Sequence, residues 1–268
     1  MKRIFALLLT ISLALSCLTA CQKAPGGTEP SGTPTPPVAD ATPTPAANPV
    51  ADDTDDGDDD FAYEGDASTY YTQVYAPVLD KYRQALSEEW NLGQYLENDM
   101  SPLASYAYDG DPLENVGFAF ADADGDGYCE LFIGELADDE FLKDTIFALY
   151  TLKDETPVKV FSSEERARYY YYIDEAGPYI FTLEASAGAN HTAWFYYTLF
   201  DGQLSVNQAI VYDAEFDSDS PWFMTYDDTW EVTEEESVDE DLAQAIIESN
   251  RTPRASLSDL DAFPFLYY

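Results

Sequence analysis

Residues Val116 to Leu136 read V-G-F-A-F-A-D-A-D-G-D-G-Y-C-E-L-F-I-G-E-L. A phenylalanine-rich run enters, an acidic stretch with two glycines follows, and a second apolar run leaves, which is the pattern of strand, loop and strand. Asp122, Asp124 and Asp126 stand at alternate positions, Gly127 follows where the chain must turn sharply, and Glu130 comes four residues after Asp126. Counted from Asp122, carboxylates occupy positions one, three, five and nine, and the main-chain carbonyl of Tyr128 occupies position seven. Alternate residues of a turning loop point inward, and a glycine at position six permits the conformation that brings the seventh carbonyl round. Hard oxygen donors in that arrangement suit a divalent cation, and Ca2+ is the one expected. Without an ion the same residues are an acidic surface hairpin.

Ahead of the loop, Tyr71, Val74, Tyr75, Val78, Leu79, Tyr82, Leu86 and Trp90 form a helical stripe. One amphipathic helix is expected there, kinked or restarted at Pro77. Ser101-Pro102 reads as a cap followed by proline at the first helical position, opening a shorter helix to about Tyr108. Beyond Leu136 the pattern changes to short aromatic and β-branched runs, and strands are expected near 145–152, 157–161, 168–173, 179–185, 192–200, 204–212 and 222–232. Asp201-Gly202 is the clearest hairpin turn among them. Phe147 to Asp154 echoes Phe195 to Asp201, which suggests repeated hairpins, although too few residues remain to close a propeller. Ser237-Val238-Asp239-Glu240 opens a last helix with Leu242, Ala245, Ile246 and Ser249 on one side and Asn250 and Pro253 at its end. The apolar tail Ala262 to Leu266 is expected to dock back. The fold class is therefore α+β: an antiparallel β-meander, open or barrel-like, with an N-terminal amphipathic helix and a C-terminal helix, in one domain over 67–268.

The chain opens with Lys2 and Arg3 before an apolar run too short to span a bilayer comfortably, so residues 1–20 read as a secretory signal peptide. Residues 21–66 are rich in Pro, Thr, Ala and Asp and hold no apolar pattern from which a core can form. Proline favours extended segments and the acidic block Asp52 to Asp60 repels itself, so this stretch reads as a stiffened, disordered tether. Asp52 to Gly57 nearly matches a calcium loop by composition alone, with no flanking strands to hold it. Of the three cysteines, at 17, 21 and 129, cleavage removes the first and lipid takes the second. Cys129 is then left without an intrachain disulfide and reads as a small core residue. The formal charge of −40 repels phosphate and accumulates cations, which excludes nucleic acid as a partner.

Leu18-Thr19-Ala20-Cys21 resembles the bacterial lipobox. The resemblance implies cleavage before Cys21, diacylglycerol on its sulfur, and a membrane anchor that places the domain at the cell envelope, outside the cytoplasm. The acidic loop resembles the opening half of an EF-hand, but Ile133 stands at position twelve and strands flank it, which departs from a helix-loop-helix. It is more similar to the D-x-D-x-D-G-x-x-D/E loops of FG-GAP and VCBS-type extracellular β repeats, where the ninth-position carboxylate completes the site. That likeness covers about fifteen residues and implies Asp122, Asp124, Asp126, Glu130 and the Tyr128 carbonyl as calcium ligands, with affinity of about 10⁻⁴ to 10⁻³ M suited to structural use. The whole order of lipobox, spacer, helix, loop and Tyr-rich remainder, with the small-residue turn Ser186 to Ala189, resembles bacterial surface lipoproteins to which no activity is attached.

Other chemistry finds little material. Glu184-Ala185-Ser186-Ala187-Gly188 with His191 nearby lacks the strand-to-helix elbow that a serine nucleophile needs. One histidine and one remaining thiol do not make a zinc or cysteine-protease site. The tyrosines at 169–172 and the aromatic run at 194–197 either line a sugar-binding groove or alternate between the core and a half-exposed sheet, the second being favoured. The function expected is a non-catalytic binding domain for a glycan, wall polymer or protein. The alternatives are an extracellular glycan hydrolase using paired carboxylates, or a purely structural or assembly lipoprotein.

Overall fold

The computed structural model describes residues 67–137, 139–173, 179–251 and 254–268. The expected signal peptide, the lipidated Cys21, the tether and Pro253 lie outside the described residues. No helix among the described residues is long and apolar enough to cross a membrane.

Ten strands are described: β1 (Val116–Ala121), β2 (Glu130–Glu135), β3 (Ile146–Lys153), β4 (Thr156–Ser162), β5 (Ala167–Ile173), β6 (Tyr179–Gly188), β7 (His191–Phe200), β8 (Gln203–Asp213), β9 (Trp222–Thr225) and β10 (Phe263–Pro264). They form one open antiparallel sheet in the order β10-β1-β2-β3-β5-β6-β7-β8-β9, with β4 paired to β3 off that path. The sheet curls strongly. Phe132 on β2 and Phe181 on β6 are three strands apart, which in a flat sheet is about 14 Å, yet their ring centroids are 6.1 Å apart.

Both faces of the sheet are covered, because its apolar residues do not alternate with polar ones but feed two cores in turn. On β2, Leu131 and Ile133 join a core with the helices, while Phe132 between them joins a second core with β5 to β9. On β7, Phe195, Tyr197 and Leu199 enter that second core, while Trp194 and Tyr196 pack with Ala243 and Ile247 of the last helix. The Tyr-rich runs divide accordingly: Tyr170, Tyr171, Tyr196 and Tyr197 are buried, and Tyr169, Tyr172 and Trp194 are half-buried.

Among the described residues five α-helices accompany the sheet: α1 (Ala67–Val74), α2 (Ala76–Ser87), α3 (Leu92–Glu97), α4 (Pro112–Asn115) and α5 (Glu240–Arg251). The N-terminal stripe is split between α1 and α2, with Tyr75 at the junction and Pro77 in the first turn of α2. Trp90 lies past the end of α2. There Glu89 takes a left-handed φ of 48°, and the Trp90 N–H donates to the Ala85 carbonyl at 2.9 Å while the Glu89 N–H donates to Leu86 at 3.2 Å. This is a Schellman stop with glutamate where glycine is the preferred residue. Replacing exposed Glu89 with glycine is expected to stabilise the protein by about 0.5 to 1 kcal/mol, because the left-handed conformation no longer strains a Cβ. Urea unfolding with an unchanged slope and a higher midpoint is the check.

Several expectations are corrected. The helix after Ser101 is a 3₁₀ turn over Pro102–Tyr106, and a short helix, α3, capped by Asn91, precedes it. The β9 strand ends at Thr225, whose hydroxyl accepts the Asp227 N–H and starts a turn instead of continuing to 232. β6 runs on to Gly188, so the turn is Ala189-Asn190 and not Ser186 to Ala189. The buried side of α5 is Ala243 and Ile247 with Ile246 beside them, while Leu242, Ala245 and Ser249 face solvent. Packing against β8 and β9 selects the row of Ala243 and Ile247, although the row of Leu242 and Ile246 is the more apolar of the two.

The echo between residues 147–154 and 195–201 falls on two hairpins. Their two-residue turns, Asp154-Glu155 at φ 50° and 56° and Asp201-Gly202 at φ 49° and 67°, are both left-handed at both positions, as a type I′ turn requires. The tail does dock: Phe263 and Pro264 pair with Phe118 and Gly117, and Phe265 is fully buried. A Cβ on Gly117 would lie 2.8 Å from the Phe263 carbonyl, so the close approach of β10 needs a glycine there.

Candidate metal centre

The loop between β1 and β2 is built by its own carboxylates. Asp122 accepts the N–H of Gly125 at 2.7 Å through Oδ1 and that of Gly127 at 3.0 Å through Oδ2. Asp124 Oδ1 accepts the Asp126 N–H at 3.2 Å, and Asp126 Oδ1 accepts the Tyr128 N–H at 2.7 Å. Short acidic side chains favour such turns over strand. Gly127, at φ 90°, holds a conformation that an L side chain rarely adopts.

Glu130, the first residue of β2, is only 1 % exposed. Its Oε2 accepts the Ala123 N–H at 2.8 Å and its Oε1 accepts the Thr151 hydroxyl at 3.0 Å. Burial pushes its carboxyl from 4.5 up to about 7, and the charges of Asp124 and Asp126 push the same way, against the two hydrogen bonds. One carboxylate oxygen from each of Asp122, Asp124 and Glu130 lies within 4.8 Å of the others. Asp126 stands outside that group, and burial followed by the Asp124 and Asp122 charges raises its pKa. The Tyr128 ring is half exposed. The structure thus brings together three of the four carboxylates that the spacing singled out.

Elements remote in sequence support the loop. The Gly202 N–H, in the β7–β8 turn, donates to Asp124 Oδ2 at 3.3 Å, and a Cβ on Gly202 would lie 2.6 Å from Thr151 Cγ2. Tyr71 of α1 accepts the Cys129 N–H at 3.0 Å through its hydroxyl, and the Tyr75 hydroxyl donates to the carbonyls of Cys129 at 2.9 Å and Tyr150 at 3.2 Å. Cys129 is half-buried, and burial raises its thiol pKa. Thr151, Gly202 and the two tyrosines carry no local signal of this role, because β2–β3 pairing, the β7–β8 turn and the packing of the first helices bring them to the loop.

The Ser186 hydroxyl is engaged within its own hairpin, donating to the Gly188 carbonyl at 3.0 Å. His191 opens β7 with its ring edge-on to Trp230 and its Nε2 3.8 Å from Asp213 Oδ2. Comparison of the chain with family models, with curated proteins and with solved structures finds no match.

Oxygen donors of one ion at 2.3–2.6 Å from it stand at most about 5.2 Å apart, and the three carboxylates meet that bound at 4.8 Å. The charges acting on buried Glu130 are those of Asp124 and Asp126, both of its own sign. A buried carboxylate among carboxylates requires either a proton or a cation. All the side-chain donors are carboxylate oxygens, which suit Ca2+ and offer nothing soft for a transition metal. The residues present fit a calcium ion.

Proposed function

We propose that this chain is a lipid-anchored protein of a bacterial cell envelope that displays a calcium-stabilised, non-catalytic binding domain. The observation that carries the calcium reading is Glu130, buried beside Asp122 and Asp124 with like charge around it. Asp122, Asp124 and Glu130 are the side-chain ligands, with the Tyr128 carbonyl at position seven and Asp126 ordering the loop through the Tyr128 N–H. The ion's role is structural. It neutralises the junction at which the β1–β2 loop, Thr151 of β3 and the β7–β8 turn meet. The anchor reading rests on the lipobox-like Leu18 to Cys21 and on the tether composition of residues 21–66.

The experiment is thermal unfolding of the purified protein in Ca2+, in Mg2+ and in chelator. At 10 mM Ca2+ and a dissociation constant of 10⁻⁴ to 10⁻³ M, linkage adds about 1.4 to 2.7 kcal/mol. That corresponds to a rise of about 3 to 11 °C in a domain of this size. Mg2+, which demands tighter octahedral geometry, is expected to give less. Coincident curves in all three buffers refute the calcium site and leave the loop as surface charge.

The binding role without catalysis is favoured over the hydrolase by the state of Glu184, an acid in a groove of about 540 Å³. The guanidinium groups of Arg254 and Arg251 overcome burial and hold its pKa below the ordinary range, whereas a glycosidic general acid needs it raised.

A further inference from the structure

Trp194 and Phe200 stand six positions apart on β7, a distance of about 20 Å along the strand. The Phe200 end leads into the turn that touches the acidic loop, and the Trp194 end opens on a groove of about 540 Å³. Arg166 just before β5, Arg168 within it, Arg251 at the end of α5, Glu184 of β6, Tyr170 and Trp194 line it. Arg254 stands against the same wall, its guanidinium 3.6 Å from the centroid of the Tyr170 ring and 2.6 Å from Glu184 Oε1. Four of the chain's six arginines therefore converge on one groove in a protein of formal charge −40.

Their charges are not cancelled there. Glu184 is shared by Arg251 at 2.8 Å and Arg254 at 2.6 Å, so one carboxylate serves two guanidinium groups. Arg166 is exposed and forms no ion pair with a described residue. Glu165, the other acid in the lining, accepts a hydrogen bond from the Tyr106 hydroxyl. Among the described residues, the buried Nε of Arg254 and the buried hydroxyl of Tyr196 lack hydrogen-bond partners.

The rim adds flat apolar surface. Arg168 lies 4.0 Å over the ring of Phe141, which meets Tyr106 edge to face at 5.6 Å, and both rings are exposed. Guanidinium forks match carboxylates, and aromatic rings match the C–H faces of sugars. The volume falls in the range of small-ligand sites, whereas a lipid surface is flat.

We propose that this groove binds an acidic polysaccharide, taking the carboxylate of a uronic-acid residue on Arg166 and Arg251 and its ring against Trp194. This supplies the ligand class for the binding domain proposed above and rests on that reading, though not on its calcium site. The groove is a local attraction within a long-range repulsion. Repulsion by the net charge is screened first as salt rises, and the close ion pairs later. Affinity is therefore expected to pass through a maximum between about 0.01 and 0.5 M salt.

The test is calorimetric titration of the full chain, in chelator, with tetragalacturonate, neutral galactotetraose and tetraglutamate. Tetragalacturonate is expected to bind at least tenfold more tightly than either of the others. Arg166→Glu is expected to weaken it at least tenfold with no change in Tm, and Arg166→Lys to restore part of the loss. Equal binding of the neutral sugar, tighter binding of the acidic peptide, or an Arg166→Glu protein that binds as before would each overturn the proposal, as would absence of binding. Binding that survives Asp122→Asn while the calcium response is lost keeps the groove and isolates the metal site. Neutral-sugar binding unaffected at Arg166 keeps a binding domain and removes this groove from it.

Discussion

Replacing Glu130 with glutamine is expected to move stability in opposite directions in chelator and in calcium. In chelator at pH 8 the wild-type protein carries a buried charge whose pKa is pushed from 4.5 to about 7, a penalty of about 3 kcal/mol. Glutamine is neutral and nearly isosteric, and its amide oxygen still accepts the Ala123 N–H. The variant should therefore unfold about 6 to 12 °C higher than wild type in chelator. In calcium the order narrows or inverts, because the variant has lost a charged ligand. The sign of the pH dependence follows. A carboxyl with a raised folded pKa binds its proton more tightly in the folded state than in the unfolded one, so folding stability falls as pH rises from about 4.5 to about 7. The stability difference between wild type and Glu130→Gln isolates this group from the other acids. It should open across that window in chelator and shrink in saturating Ca2+, where the ion replaces the proton. A difference that is flat with pH in chelator would show that Glu130 does not titrate there and would remove the electrostatic case for a cation.

Phe132→Ala is expected to cost about 3 to 5 kcal/mol, at the upper end for a core truncation, and to lower Tm by about 6 to 20 °C. The Phe132 ring is fully buried and lies 5.4 Å from Tyr171, 6.0 Å from Tyr179 and 6.1 Å from Phe181. The cost of a cavity depends on how well its walls collapse. Here they cannot follow, because Leu131 and Ile133 on either side are anchored in the opposite core. Moving β2 inward to fill one cavity opens another. Calorimetry of the variant, in chelator and in calcium, measures the loss, and retention of the calcium increment shows that the loop itself is intact. A loss below about 1 kcal/mol would mean that the sheet relaxes as a single-core sheet does.

Local chemistry made much of this protein readable. Strand runs such as Ile146–Lys153 and His191–Phe200 are dense in β-branched and aromatic residues and end at turns whose residues tolerate left-handed backbone. The acidic loop is equally local in sequence, since Asp122, Asp124 and Glu130 lie within nine residues. Where neighbours far along the chain decide, reading failed. The buried row of α5 is chosen by β8 and β9, so Ala243 and Ile247 turn inward where Leu242 had the stronger apolar claim.

By itself the sequence determined which segments become strand and which loop concentrates carboxylates, because each depends on residues within one turn or one strand of one another, and it determined the strongly negative net charge, which is a sum over composition. Only the tertiary structure decided how these meet. The curl of the sheet carries the β7–β8 turn to Asp124 and Phe181 to Phe132. Chain reversal through α5 sets Arg251 and Arg254 beside Glu184, about seventy residues earlier in the chain. The physical reason is the same in both cases: a strand's side-chain periodicity says which face a residue occupies, whereas curvature and the closing of long loops say what that face confronts.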